Sequence, residues 1–242
     1  MRGIGYLASC LALAAFVGTG IAAAGVAEAG EMVVLKSTSA ALKEGSVIDG
    51  AQPLKLDAGA SVTLIGADGS MVRLRGPYNG TPAQAPLRGA GKPGIVKALG
   101  AILSERKVST ASLGVLRSTG GSGGPLADPW MVNVDGSGTR CIRRDIVVLW
   151  RGDATRDQRL TITRTKIGMT TQAQWAAGDR VLPVSGRKFK DSARYTVERG
   201  GRRVDLTMRV MPGELTGVAE QAAWMAGVGC KQQALALLDT IL

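Results

Sequence analysis

Histidine is absent from all 242 residues. That absence removes the one side chain that titrates near neutrality, the base of Ser-His-Asp and Cys-His sites, and the commonest metal ligand. Cysteine is scarce: Cys10, Cys141 and Cys230 are too far apart for zinc-like spacing. Carboxylates number 19 against 30 lysines and arginines, and no calcium-loop pattern occurs among them. The stretch "GAGK" (residues 89–92) is not a phosphate loop, because Pro86 and Pro93 stand where that motif needs Gly and Ser or Thr. No cofactor and no metal are expected, and the chain reads as non-enzymatic. A hydrolase using two carboxylates remote in sequence is the enzymatic alternative. Aromatic residues make up 4% of the chain, too few for an obvious sugar-stacking platform. Of the four tryptophans, Trp150 sits in an apolar run and reads as core. Trp175, in the polar setting "TTQAQWAAGD", is the one candidate for a binding surface.

Glycine, by contrast, is abundant at 34 residues, which suits short strands and tight turns. Residues 1–29 have the form of a signal peptide: Arg2, an apolar run over 7–17, and Ala27-Glu28-Ala29 as a small-x-small cleavage site. An uncleaved anchor is the alternative, since residues 4–26 are just long enough to span a bilayer. No other segment reaches transmembrane length, so the mature chain is expected to have no transmembrane helix and to be periplasmic or secreted. The net charge is +11, and residues 140–209 hold 17 Lys and Arg against 7 Asp and Glu. In an exported protein this balance points away from nucleic acid. It points toward an anionic envelope polymer such as peptidoglycan or polysaccharide, lipid headgroups, or an acidic protein partner. Arg143, Arg144, Arg187, Lys188 and Lys190 form two basic clusters that would serve such a partner. The competing reading is solvated charge scattered over a surface.

Residues 30–80 alternate with a period of two. In "LDAGASVTLIGADGSMVRLRGPYNG", Val62 and Leu64 alternate with Ser61 and Thr63, and after Asp68-Gly69 come Val72 and Leu74 between Met71, Arg73 and Arg75. Alternation around an Asp-Gly turn predicts a hairpin, with Arg73 and Arg75 sharing the outward face as further candidate binding residues. "MVVLK" reads as a short strand, and "KEGSVIDG" as turn residues between strands. The pattern "ALKEGSVIDG" followed by "LKLDAGASVTLIGADGSMVRLRGP" resembles the FecR-like periplasmic domain over residues 36–80. That resemblance implies a small all-β module used in protein–protein signalling or envelope contacts, without catalysis. The chain is expected to lack the cytoplasmic anti-sigma segment of the family's signalling members, which argues against direct control of a sigma factor across the membrane.

Residues 81–125 read as a Pro/Gly-rich linker carrying one amphipathic helix from Pro93 to about Arg106, a possible strand "SLGVLRS", and a flexible joint "TGGSGG". Residues 126–211 carry several strands at sandwich-like spacing, among them "IVVLWR", a continuous apolar run as in a strand buried on both faces. Residues 212–242 form an αα-hairpin with apolar stripes Leu215, Val218, Ala219, Ala222, Met225 and Cys230, Ala234, Leu237, Leu238, Ile241. The expected fold is therefore mainly β: a small N-terminal β domain, a helix-containing linker, and a C-terminal β-sandwich capped by a helical hairpin. An even pair of mature cysteines in an oxidising compartment predicts a Cys141–Cys230 disulfide that pins the hairpin to the sandwich, two buried thiols being the alternative.

Overall fold

The computed structural model describes residues 30–82, 94–112 and 128–242, with only the backbone described for 107–112. The expected signal peptide, the linker at 83–93, and the joint with its possible strand at 113–127 lie outside the described residues. The fold is mainly β, with a β-sandwich, a smaller β unit and, among the described residues, three α-helices.

The smaller unit begins with β1 (Glu31–Ser37), β2 (Val47–Asp49), β3 (Leu54–Leu56), β4 (Ser61–Gly66), β5 (Met71–Arg75) and β6 (Tyr78–Gly80). Four of these make one antiparallel sheet in the order β2-β1-β4-β5, and β3 pairs with β6. The Asp-Gly hairpin forms as its alternation requires, with Leu64 opposite Val72 and Val62 opposite Leu74. "KEGSVIDG" differs from expectation: Val47–Asp49 is a strand paired to β1, although three residues are too few for periodicity to reveal it. β1 is buried on both faces. Met32 and Val34 join Leu56, Val62, Leu64 and Val72 in one cluster, while Val33 and Leu35 face a layer of helices.

That layer is α1 (Ile95–Ser112), α2 (Val218–Gly227) and α3 (Lys231–Asp239). The first helix runs a turn and a half beyond the expected Arg106. Ile95, Val96, Leu99, Ile102 and Leu103 pack in one cluster with Ala219, Ala222, Met225, Leu237 and Leu238 and with Ile65 of the first sheet. The C-terminal hairpin forms as expected and is tied to the β8 edge of the sandwich. Its apolar stripes also pack with α1 over the N-terminal sheet, where small residues on α2 let the three helices approach closely. Gly45 sets the depth of α1. It has φ +83°, and a Cβ there would lie 2.8 Å from the Ser104 backbone nitrogen.

The sandwich comprises β7 (Met131–Asn133), β8 (Gly138–Ile142), β9 (Ile146–Trp150), β10 (Gln158–Arg164), β11 (Met169–Trp175), β12 (Val181–Ser185), β13 (Ala193–Arg199) and β14 (Arg202–Val210). One sheet runs β11-β10-β13-β14-β8 and the other β12-β9-β7. Their inner faces bury Val132, Val147, Leu149, Leu160, Ile162, Val197, Leu206 and Met208 in one core. β9 corrects the reading of "IVVLWR": Ile146 is 65% exposed and Val148 is half-buried. The three-stranded sheet, antiparallel between β9 and β12 and parallel between β7 and β9, keeps one wet face.

The disulfide forms between Cys141 of β8 and Cys230 at the start of α3, with Cα atoms 5.9 Å apart. Gln233 reinforces it. Its side chain accepts the Cys141 N–H at 2.7 Å and donates to the Cys141 carbonyl at 2.8 Å and the Pro129 carbonyl at 2.9 Å. Sheet edge, helix and disulfide thus meet at one junction. Among the described residues, no helix is long and apolar enough to cross a membrane.

Candidate functional site

Strand direction decides which loops share an end of the sandwich. β8 finishes where β9 starts, and Ile146 of β9 pairs with Ser185 at the close of β12. Arg164 at the close of β10 pairs with both Met169 and Tyr195, the beginnings of β11 and β13. The β8–β9 loop, the β10–β11 turn and the β12–β13 connection therefore occupy one end. Both basic clusters lie there: Arg143 and Arg144 in the first, Arg187, Lys188 and Lys190 in the last.

Gly186 brings the two clusters together. Its N–H donates to the Asp145 carbonyl at 2.9 Å. A Cβ on Gly186 would stand 2.2 Å from the Arg144 carbonyl oxygen, a space only glycine leaves free. The following 3-10 turn (Gly186–Lys188) presents Arg187 and Lys188 outward while Phe189 turns into the core. Tyr195 fixes this connection from the opposite sheet: its hydroxyl accepts the Lys190 N–H at 2.9 Å and donates to the Lys188 carbonyl at 3.3 Å. Phe189 and Tyr195 pack edge to face, 5.2 Å between centroids. All five basic side chains are exposed. Arg143 is drawn sideways over the Trp130 ring, 4.3 Å from its centroid, a contact that holds the cation without neutralising it.

Carboxylates share this end as well: Asp145, Asp191, and Asp128, which stands ahead of β7 and accepts the Trp130 N–H at 2.7 Å. Burial pushes the Asp191 carboxyl up. Hydrogen bonds from the Val210 N–H, the Ser192 hydroxyl and Arg209 outweigh that push and hold it below the ordinary carboxylate value. Asp191 is thus committed to β14 and Arg209. A narrow apolar crevice of about 30 Å³ opens beside Lys188 and Arg164, lined by Leu160, Ile162, Phe189 and Tyr195.

The opposite end is built differently. Arg199 forms a buried ion pair with Asp135, donates to Gln158 at 2.7 Å, and has its pKa lowered by desolvation and then by Arg202. Asp135 also accepts the Gly152 N–H at 2.6 Å. Arg140, its pKa lowered by burial, donates to the Asn133 and Gly136 carbonyls nearby. Asp153 is held low by the backbone N–H and hydroxyl of Thr155, so here the acids cap loops. The buried Asp135–Arg199 pair has no signature in the sequence, since nothing in "NVDG" or "VERGG" marks the two as partners.

Trp175 is corrected: it is fully buried. Met169, Thr171, Ala173 and Trp175 occupy alternate positions of β11, and its last inward position carries Trp175 into the core opposite Gln158. The polar neighbours that suggested a surface are the outward set of the same alternation. Arg151, also fully buried, stacks 4.8 Å from the Trp175 centroid and donates to the Asp179, Arg156 and Ala176 carbonyls. Arg73 and Arg75 lie on β5, on another sheet. Arg73 donates to the Ile241 carbonyl at 2.6 Å, and Arg75 is exposed at the sheet edge.

Among the described residues, no three metal-ligating side chains converge. No family model matches the chain, and no curated protein matches it. Among solved structures, the chain is similar to the fn3 domain of human collagen alpha-1(XX) chain at 21% identity and a TM-score of 0.22, over 40% of this chain and 96% of that one.

Proposed function

We propose that the protein is a non-enzymatic, exported scaffold or accessory protein that works by contact, and that the basic end of its sandwich holds an anionic partner in the cell envelope. The carrying observation is the junction at Gly186, which joins Arg143 and Arg144 to Arg187, Lys188 and Lys190 across 43 positions of sequence. Random surface charge has no need of a glycine seated against a neighbouring backbone. Export is supported by the signal-like residues 1–29 and by the disulfide, a bond that persists in oxidising compartments.

The FecR-like pattern over residues 36–80 supports a second contact surface, for a protein. β5 is the edge of its sheet and carries the exposed Arg75, an arrangement open to strand addition by a partner.

The test is binding of soluble polyphosphate, a generic polyanion, at about 50 and about 300 mM salt, which changes the screening length roughly twofold. Salt-sensitive binding that falls in an Arg187→Glu, Lys188→Glu variant is expected. Binding equal in the variant and the wild type would overturn the assignment to this end.

A further inference from the structure

Charge is only half of what the basic end presents. Among the described residues, the three most exposed large apolar side chains are Ile146 at 65%, Met169 at 60% and Ile167 at 53%. All three stand at this end. Ile146 opens β9, immediately after the Arg143-Arg144-Asp145 loop. Ile167 lies in the β10–β11 turn, and Met169 is the first residue of β11. The turn is anchored to its neighbour strand, since the Thr165 N–H donates to the Arg194 carbonyl at 3.0 Å and the Gly168 N–H closes back on the Arg164 carbonyl at 2.9 Å. Turn tips ordinarily carry Gly, Pro, Asn, Asp or Ser. An isoleucine there, beside Lys166, is held in water by a well-bonded loop.

The tips come from both sheets, and one of them, Met169, lines the crevice that Arg164 and Lys188 border. Exposed Arg144, Lys166, Arg187, Lys188, Lys190 and Arg194 surround them. A polyanion in solution would use the cations and gain nothing from the aliphatic tips. An acidic protein groove would call for a continuous apolar patch, whereas these side chains are separate points on different loops. Separate aliphatic points within a basic ring match a bilayer with an anionic surface: the tips enter the headgroup–acyl boundary while lysines and arginines stay at the phosphate level.

We infer that the basic end of the sandwich is a peripheral membrane-docking surface, recognising an anionic phospholipid bilayer through Ile146, Ile167 and Met169 as shallow insertions and Arg144, Arg187 and Lys188 as phosphate contacts. The inference rests on the proposed binding of an anionic partner at this end, and names that partner. It requires no spanning segment in the described residues.

The test is co-sedimentation of the purified full chain with vesicles of phosphatidylcholine alone and of phosphatidylcholine with phosphatidylglycerol, beside the soluble polyphosphate assay. Binding to the anionic vesicles and not the neutral ones is expected. An Ile146→Ser, Ile167→Ser, Met169→Ser variant should lose vesicle affinity at least about tenfold, the three side chains being the apolar contribution, while binding polyphosphate as the wild type does. A urea midpoint matching the wild type shows that the variant is folded. The Arg187→Glu, Lys188→Glu variant should lose both. Polyphosphate binding without vesicle binding, or a serine variant that sediments like the wild type, overturns the membrane inference and leaves the anionic-partner reading standing. Binding to neither overturns both.

Discussion

Gly186 and Arg151 show how single positions hold the site in place. A methyl group on Gly186 would meet the Arg144 carbonyl carbon at 2.8 Å and the oxygen closer still, and both belong to backbone that cannot rotate aside. Gly186→Ala should therefore cost about 3 kcal/mol, read as a lower urea midpoint, and should weaken polyphosphate binding because the two basic loops separate. A variant that unfolds and binds like the wild type would show that the loops do not depend on this approach. Arg151 acts from the core side. It donates to three backbone carbonyls of the 151–157 and 176–180 loops and covers the Trp175 ring. Arg151→Met keeps most of the volume but strips those carbonyls of donors, for a loss of about 2–4 kcal/mol. Asp191 sets an acid limit. Its folded pKa lies below the ordinary value, so the stability it contributes is complete above that value and is lost as pH falls through the folded pKa. The urea midpoint should fall below about pH 4, and part of that fall should vanish in Asp191→Asn.

At the scale of elements, alternation was the legible signal. Val62, Leu64, Val72 and Leu74 face one way because a two-residue period admits no other arrangement, and Val204, Leu206, Met208 and Val210 do the same in β14. The same rule, applied to "MTTQAQW", would have sent Trp175 inward. Its polar neighbours misled because an edge strand needs only one dry face. β2 escaped for want of length, and the exposure of Ile146 escaped because an apolar run does not say how many of its faces are covered. The site was legible as residue types but not as a place: 43 positions separate Arg144 from Arg187, and only the pairing of β9 with β12 makes them neighbours. The partner of α3 was equally hidden, since Gln233 has no apolar signature yet is buried. It satisfies both backbone groups of Cys141 on the β8 edge. Gln233→Leu would keep the bulk and orphan those groups, and should lower stability by about 2 kcal/mol. A midpoint unchanged from wild type would mean that water replaces the amide.

Taken whole, the molecule is two β units joined through one helical layer. α1, α2 and α3 cover the first sheet, while Cys230 and Gln233 attach that layer to the edge of the sandwich. Contact with the sandwich is thus concentrated at β8, far in sequence from the helices that use it. The disulfide spans 89 positions, and in the chain-entropy account a loop of that length restrains the unfolded chain by about 4 kcal/mol. Cys141→Ser, Cys230→Ser should accordingly shift the urea midpoint down by an amount equivalent to about 2–4 kcal/mol, engineered losses tending to fall short of the entropic figure. The basic end should survive in that variant, because its loops are held by the Gly186 approach and the Phe189–Tyr195 pair, although Cys141 stands only two positions before Arg143. Polyphosphate binding measured well below the new midpoint should therefore match the wild type. If binding falls together with stability, the helical layer reaches the basic end, and Arg143 over Trp130 is the contact through which it would do so.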